Sequence, residues 1–88
     1  MKKINVKVNS VSGLHARPAS LVVNTANKYS SNISIKKGDK TINCKSIMGV
    51  LSIGADKGDE LVIITEGEDE VEAIYDLEDL FVNQLVNE

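Results

Sequence analysis

Two hydrophobic periodicities alternate along this chain, and their order is the feature that most constrains its fold. Apolar residues alternate with polar ones in Ile4–Val8, which is typical of a half-buried strand. In Leu61–Thr65, Leu61, Ile63 and Thr65 alternate with the apolar Val62 and Ile64, which predicts the most buried strand. Apolar residues recur at helical spacing in Ala16–Lys28 and Asp69–Leu85, which predicts an amphipathic helix over each segment. Every element therefore has one apolar side that must pack against another element.

The middle of the chain adds a hairpin and a short helix to this pattern. Strands are predicted at Ile33–Lys36 and Thr41–Cys44, because the Lys-Gly-Asp-Lys sequence between them is typical of a tight turn. Ser46 is predicted to cap a short helix, and Gly54 is predicted to end it.

The resulting order, β-α-β-β-α-β-α, fits a single sheet with all of its helices on one face. We therefore expect one α+β domain over residues 1–88, a two-layer sandwich in which the two hairpin strands pair antiparallel. With only two Tyr, one Phe and no Trp, its core is expected to be aliphatic.

Composition excludes several classes of site. A single Cys cannot form an intramolecular disulfide, and one Cys with one His are too few ligands for a typical zinc site. We expect no metal and no cofactor. The longest apolar run is Leu61–Ile64, and the N-terminal residues are not apolar. We therefore expect no membrane insertion, no signal peptide and a cytoplasmic location.

Charge is divided unequally along the chain. All ten Lys and Arg residues precede Gly58 together with two acidic residues, whereas eleven acidic residues and no basic residue follow it. The basic part could face an acidic partner, or the acidic part could simply be a solvated helix face. The net charge of −3 and the scarcity of aromatic residues argue against nucleic-acid binding.

His15 is the first candidate for chemistry, and it lies between a predicted strand and a predicted helix start. It could be an exposed loop or capping residue. However, Gly13 permits an unusual backbone before it, and Arg17 could neutralise a phosphoryl oxygen beside the free N–H groups of the helix start. An imidazole nitrogen is nucleophilic near neutral pH, so this setting favours a His that accepts a phosphoryl group.

The sequence carries no Walker A motif and no carboxylate cluster for Mg²⁺, so a phosphoryl group on His15 would have to be delivered and removed by other proteins. This describes a carrier rather than an enzyme.

Ser46 and the residues after it are the second candidate region. Ser46 could be a plain N-cap or a regulatory phosphorylation site, where a phosphate would meet the helix N-terminus. Ile47 and Met48 are consecutive and cannot both point inward from a short helix, so at least one is expected to be exposed. Cys44 is expected to be a small strand residue rather than a reactive thiol.

Two segments together, Gly13–Ala19 (GLHARPA) and Lys45–Leu51 (KSIMGVL), resemble the HPr family, the histidine-containing phosphocarriers of the phosphoenolpyruvate-dependent sugar phosphotransferase system. The resemblance extends over essentially the whole chain. It implies an open-faced β-sandwich, a four-stranded antiparallel sheet covered on one side by three helices.

The resemblance also implies a function for each segment. His15 would be phosphorylated on Nδ1 by phospho-enzyme I and would donate the group to sugar-specific enzyme IIA proteins, with Arg17 assisting. Ser46 would be modified by HPr kinase/phosphorylase, and the product would act with catabolite control protein A. The partner-docking residues by position would be Ser20, Ile47, Met48, Leu51 and Gly54.

Two other functions remain open at this point. One is a regulatory, corepressor-type binding module that acts through Ser46 only, although the presence of His15 weighs against it. The other is a small-molecule or RNA-binding module on a ferredoxin-like plan, against which the acidic pI near 5.1 counts. A carrier that docks several partners in turn is expected to be a monomer.

Overall fold

The computed structural model describes residues 1–11 and 13–85 and has the element order predicted from the sequence. The elements are β1 (Lys2–Lys7), α1 (Ala16–Ala26), β2 (Asn32–Lys37), β3 (Lys40–Asn43), α2 (Ile47–Ser52), β4 (Glu60–Glu66), α3 (Glu70–Asp79) and a terminal π-helix (Leu80–Gln84). None of the helices in these two ranges is long and apolar enough to cross a membrane.

The four strands form one antiparallel sheet in the order β1-β4-β2-β3. The central strand β4 alternates as predicted, with Leu61, Ile63 and Thr65 buried and the residues between them partly exposed. The three helices cover the face that these buried side chains share, and the opposite face of the sheet is open. The predicted open-faced sandwich is therefore confirmed.

The core is aliphatic, as the composition predicts. Its largest fully buried side chains come from both layers, and Phe81 is the aromatic residue among them. Ile33, Ile35 and Ile63 face the helices from the sheet, and Leu77 lies opposite on α3.

All four strands and α1 have boundaries that differ from the predicted ones by one or two residues, β1 for example ending at Lys7 rather than Val8, and two of these differences have a clear local cause. Helix α1 ends at Ala26 rather than Lys28, because the Asn27 side chain donates to the Val23 carbonyl and terminates the helix. Strand β3 ends at Asn43 rather than Cys44, since the Asn43 side chain accepts from the Lys45 N–H and turns the chain.

The last predicted helix, Asp69–Leu85, is two different helices. Regular α3 ends at Asp79, and the chain continues with π-helical geometry, in which the Leu85 N–H donates to the Leu80 carbonyl at 2.9 Å. The wider turn leaves Leu80, Phe81 and Leu85 buried together. The Asp79 carboxylate accepts the side-chain amides of Asn83 and Gln84 on the outer side.

Asp69 joins α3 to the loop before β2. One carboxylate oxygen accepts the Ser31 N–H at 2.9 Å and the Ser31 hydroxyl, and the other accepts the Ser30 N–H at 2.9 Å. Although Asp69 stands at the N-cap of α3, its side chain makes no bond to the helix it begins. The Ser31 hydroxyl and then the Ser30 N–H lower the pKa of this carboxyl to about 2.

We predict that Asp69→Asn loses a pH-dependent part of the stability. The carboxylate contribution is complete above its ordinary pKa of 3.8 and is lost as the pH falls through about 2. In urea unfolding followed between pH 5 and pH 2, the difference in unfolding free energy between wild type and Asp69→Asn should shrink as the pH falls. Asp39→Asn, in the exposed hairpin turn, is the charge-matched control and should not show this change. A difference for Asp69→Asn that stays constant with pH would contradict this role.

Candidate functional site

His15 occupies the N-cap of α1 with an exposed side chain. Its backbone is extended, with φ −84° and ψ −165°, and its carbonyl accepts the Ala19 N–H at 2.8 Å as the first bond of the helix. Its imidazole makes no capping bond. His15 therefore leaves the N–H groups of the first turn without a side-chain acceptor of its own, and its ring is exposed to solvent.

The helix start behind His15 suits an anion. The N–H groups of the first turn of a helix have no acceptor within the helix and form the positive end of its dipole. Pro18 has no N–H and is buried in this turn, so the donors are those that precede it. Arg17 has an exposed side chain and belongs to the same turn. Its guanidinium adds positive charge at this end of α1.

Gly13 fixes the approach of the chain to His15. Its φ is +71°, and a Cβ atom there would lie 2.4 Å from the Ala55 carbonyl oxygen. The next residue, Leu14, is buried and donates its N–H to the same oxygen at 3.0 Å. The buried Ser10 hydroxyl donates to the Gly13 carbonyl at 2.7 Å. The position of His15 is thus set by contacts with the segment after α2.

That segment is itself held by the sheet. The Lys37 ammonium on β2 lies 2.9 Å from the Gly54 carbonyl oxygen and 2.9 Å from the Asp59 carboxylate. The Asp59 carboxylate also accepts the Asp56 N–H, and these contacts, the Asp56 N–H first, lower the pKa of Asp59. The Ala55 carbonyl, which accepts the Leu14 N–H, therefore lies in a loop that is held by the Lys37 ammonium and by the Asp59 carboxylate.

Ser46 caps α2 as predicted. Its hydroxyl oxygen accepts the Gly49 N–H at 3.1 Å, and its carbonyl accepts the Val50 N–H at 3.0 Å. A Cβ at position 49 would lie 3.1 Å from the Asn43 carbonyl oxygen, which explains a glycine inside this short helix. Ser46 is half-buried.

His15 and Ser46 stand at opposite ends of a helix pair. Leu14, before α1, bonds to Ala55, after α2, whereas the Asn27 side chain, after α1, donates to the Lys45 carbonyl, before α2. The two helices are therefore antiparallel. Since α1 has 11 residues, the two sites are separated by about 16 Å along its axis.

The apolar residues predicted for docking are exposed on α2. Met48 is 74% exposed, Leu51 40% and Ile47 38%, so both members of the Ile47–Met48 pair reach solvent. Ser20 is exposed on α1, and Gly54 is exposed after α2, with a φ of +66°. We call Ile47, Met48 and Leu51 the α2 patch.

Sequence reasoning missed Leu21 on the neighbouring helix. It is 37% exposed and lies on the polar face of α1, one turn beyond Arg17. The sequence pattern contained a signal for this exposure, because the buried stripe of α1 includes Ala19 and Val22 and leaves Leu21 outside it.

Three further residues are bonded or buried within the fold. The Lys45 ammonium donates to the Tyr29 carbonyl at 2.6 Å, and the Lys28 ammonium lies 3.8 Å from the Asp76 carboxylate. Cys44 is fully buried just beyond β3, and this burial raises the pKa of its thiol to about 12, which disfavours the reactive thiolate. Within the described ranges, no group of three or more His, Cys, Asp and Glu side chains could hold a metal ion.

Comparison with known families decides the identity of this fold and site. Residues 2–83 match the model of the PTS HPr component phosphorylation site. The chain belongs to the HPr family. The match includes both segments on which the resemblance depended, and the family is one of phosphocarriers of the phosphotransferase system rather than of catalysts.

Individual relatives agree with the family match. The chain is 42% identical over 83 residues to the phosphocarrier protein HPr of Treponema pallidum, which covers 94% of each protein. Its structure resembles HPr-C-His from Thermoanaerobacter tengcongensis with a TM-score of 0.95 and 44% identity, over 100% of this chain and 99% of that one.

A regulatory relative is also similar. Crh, described as a catabolite repression protein of Bacillus subtilis that forms a dimer with a swapped domain, matches with a TM-score of 0.74 and 40% identity over 100% of both chains. The fold is therefore shared by HPr proteins and by Crh, and the distinction between these two functions depends on the residues of the site.

We predict that Gly13→Ala displaces the His15 loop. The variant combines a disfavoured φ with a clash against the Ala55 carbonyl, and we expect a loss of about 1–3 kcal/mol of unfolding free energy. Gly38→Ala, in the hairpin turn at φ +58° with no atom within 4 Å of its Cβ, isolates the cost of φ alone. If Gly13→Ala and Gly38→Ala lose equal unfolding free energy in chemical denaturation, the contact with Ala55 does not constrain the loop.

Proposed function

We propose that this protein carries a phosphoryl group on Nδ1 of His15 from phospho-enzyme I to sugar-specific enzyme IIA proteins. The observation that supports this most strongly is the geometry of His15, an N-cap residue whose exposed imidazole makes no capping bond. The ring is thus available to a partner at the positive end of a helix, within a family known for phosphoryl carriage.

The transfer requires little chemistry from this chain. The lone pair of Nδ1 attacks phosphorus, an N–P bond forms, and the bond from phosphorus to the donor breaks with its electrons leaving on the donor. The attacking ring is neutral, with its proton on Nε2. The helix dipole and the Arg17 guanidinium stabilise the negative charge on the phosphoryl oxygens. The same step in reverse passes the group to an enzyme IIA acceptor.

Docking in this proposal is centred on the α2 patch, with Ser20 and Gly54 at its margin. The patch belongs to the helix that packs against α1, so a partner that covers it can also reach His15 at the α1 start. Met48 is the most exposed of the three side chains, and methionine adapts to differently shaped partners. A carrier with several successive partners needs such a surface.

Ser46 is proposed as a regulatory phosphorylation site for HPr kinase/phosphorylase. Its hydroxyl already meets the N-terminus of α2, where a phosphate would be accommodated without unfolding the helix. The charge would adjoin the apolar α2 patch and would be costly to bury against enzyme I. A repressor surface with basic residues, as proposed for catabolite control protein A, could pair with it instead.

The alternative is a corepressor-type module that acts through Ser46 only, as the similarity to Crh suggests. Carriage is preferred because His15, Arg17 and the start of α1 together offer an anion site that a pure corepressor does not need. The proposal further holds that the chain is one domain over residues 1–88, a monomer, and cytoplasmic, where phosphoenolpyruvate and ATP are supplied.

We predict that His15→Ala abolishes phosphoryl transfer from phosphoenolpyruvate through enzyme I to an enzyme IIA acceptor. The fold should persist because the side chain is exposed, and circular dichroism and thermal unfolding should match wild type. Acceptor labelling by radioactive phosphoenolpyruvate measures the transfer. Labelling that continues at a wild-type rate in the variant would rule out His15 as the carrier.

We predict that Met48→Ala weakens enzyme I binding about tenfold, since an exposed apolar side chain at an interface centre contributes more than the rim. Tyr75→Ala, 66% exposed on α3, is the matched control and should bind like wild type. Titration calorimetry with enzyme I measures both affinities. If the two variants lose the same affinity for enzyme I, or lose none, the docking surface lies outside the α2 patch.

We predict that phosphorylation of Ser46 slows His15 phosphorylation by enzyme I but not by phosphoramidate, a small phosphoryl donor. The sites are about 16 Å apart, beyond the roughly 8 Å Debye length at physiological salt, so the phosphate acts on the docked partner rather than on His15 itself.

The two donors are compared on purified phospho-Ser46 protein and on Ser46→Asp, which retains a capping side chain. Equal enzyme I rates with and without the phosphate would refute the regulatory role. Slowing with both donors would instead show a direct effect on His15.

A further inference from the structure

Strand β1 lies at one edge of the sheet and is paired along only one side. It pairs with β4 over six positions, from Lys2 opposite Thr65 to Lys7 opposite Glu60. In the part of the chain that the structure describes, no strand pairs with its other side. At the opposite edge of the sheet, β3 has only four residues.

The backbone of three residues faces this free edge. Val8 directs both its N–H and its carbonyl toward the loop that leads into β4, bonding Asp59 at 2.9 Å and Gly58 at 2.8 Å. In an antiparallel ladder the bonding direction alternates along the strand, so Lys3, Asn5 and Lys7 point their N–H and carbonyl groups outward. The edge therefore offers six backbone hydrogen-bonding groups over five residues.

The side chains along this edge differ between the two faces of the sheet. Lys3, Asn5 and Lys7 are exposed on the open face. On the helix side, Ile4 lines a cavity of about 220 Å³ together with Lys2 and Lys3 of β1 and with Val71, Ile74 and Tyr75 of α3. A strand added here would place alternate side chains beside Lys3 and Lys7 on the open face and beside this cavity on the helix side.

These features select the kind of partner. Two copies of this chain that paired through their β1 edges about Asn5 would set Lys3 opposite Lys7 of the other copy, and like charges directly opposite each other are destabilising. Acidic side chains opposite both lysines would be stabilising. On the helix side, Ile4, Val71 and Ile74 give the cavity an apolar wall, so an apolar side chain fits there.

We propose that the free edge of β1 binds an extended segment of a partner protein with the pattern acidic, apolar, any residue, apolar, acidic. The segment adds a fifth strand antiparallel to β1: its acidic residues lie opposite Lys3 and Lys7, and its second apolar residue, opposite Ile4, enters the cavity. This surface is separate from the α2 patch and does not depend on phosphoryl carriage.

The probe is a blocked heptapeptide, Ser-Glu-Val-Thr-Val-Glu-Ser, titrated into ¹⁵N-labelled protein. We expect the largest amide shift changes at Lys3, Asn5 and Lys7, together with slower hydrogen exchange of those three amides. The same peptide N-methylated at its central Thr loses the donor opposite Asn5 and places a methyl group against the edge, so it should bind much more weakly. A peptide with Lys in place of both Glu residues should bind much more weakly.

Charge reversal on the protein distinguishes edge pairing from simple attraction to a basic face. Lys3→Glu should weaken binding of the acidic peptide about fivefold and strengthen binding of the Lys peptide, since it reverses a directly opposed pair. Lys36→Glu is the matched control, on the same open face but on β2, two strands away. It should leave the affinity for both peptides close to wild type.

Three results would overturn the proposal. The first is no shift change at about 1 mM peptide, which would show that the lysines only protect the edge from pairing. The second is equal weakening by Lys3→Glu and Lys36→Glu, which would indicate attraction to the face. The third is shift changes centred on α1 and α2.

Discussion

The Leu14 N–H donates to the Ala55 carbonyl oxygen at 3.0 Å, and the position of the candidate site depends on this bond. The bond joins the loop before α1 to the loop after α2. Position 13 requires a glycine because its φ is positive and because a side chain there would clash with the same carbonyl. Lys37 holds the accepting loop to the sheet. The exposed His15 is therefore presented from a framework whose neighbouring residues are buried and bonded.

The same bond sets the relation between the two candidate phosphorylation sites. Because α1 and α2 run antiparallel, His15 and Ser46 lie at opposite ends of the pair, and both are N-caps of helices. Each site can thus hold a phosphate at a helix N-terminus without contact with the other. The α2 patch follows Ser46 directly, and in the proposed function a partner docked there would lie next to Ser46 while reaching His15.

Much of this structure could be predicted from periodicity and cap residues. The alternation in β4, the Ser46 cap and the exposure of Met48 follow from local rules. The π-helical turn after Asp79 could not, since an apolar stripe at helical spacing fits both geometries until packing decides between them. The hydrogen bonds from the Ser30–Ser31 loop to the Asp69 carboxylate also join residues distant in sequence. For the site, the motif located His15, whereas only the structure shows that its ring makes no capping bond to α1.

The central claim is that His15 accepts a phosphoryl group on Nδ1, and NMR of the wild-type protein tests it most directly. The protein, labelled with ¹⁵N in its single His, is incubated with phosphoenolpyruvate and enzyme I and observed by ³¹P and ¹⁵N spectroscopy. The account predicts one ³¹P resonance per chain, lost in acid, with coupling between phosphorus and Nδ1. A phosphate that is stable in acid, is coupled to Nε2, or fails to appear would contradict it.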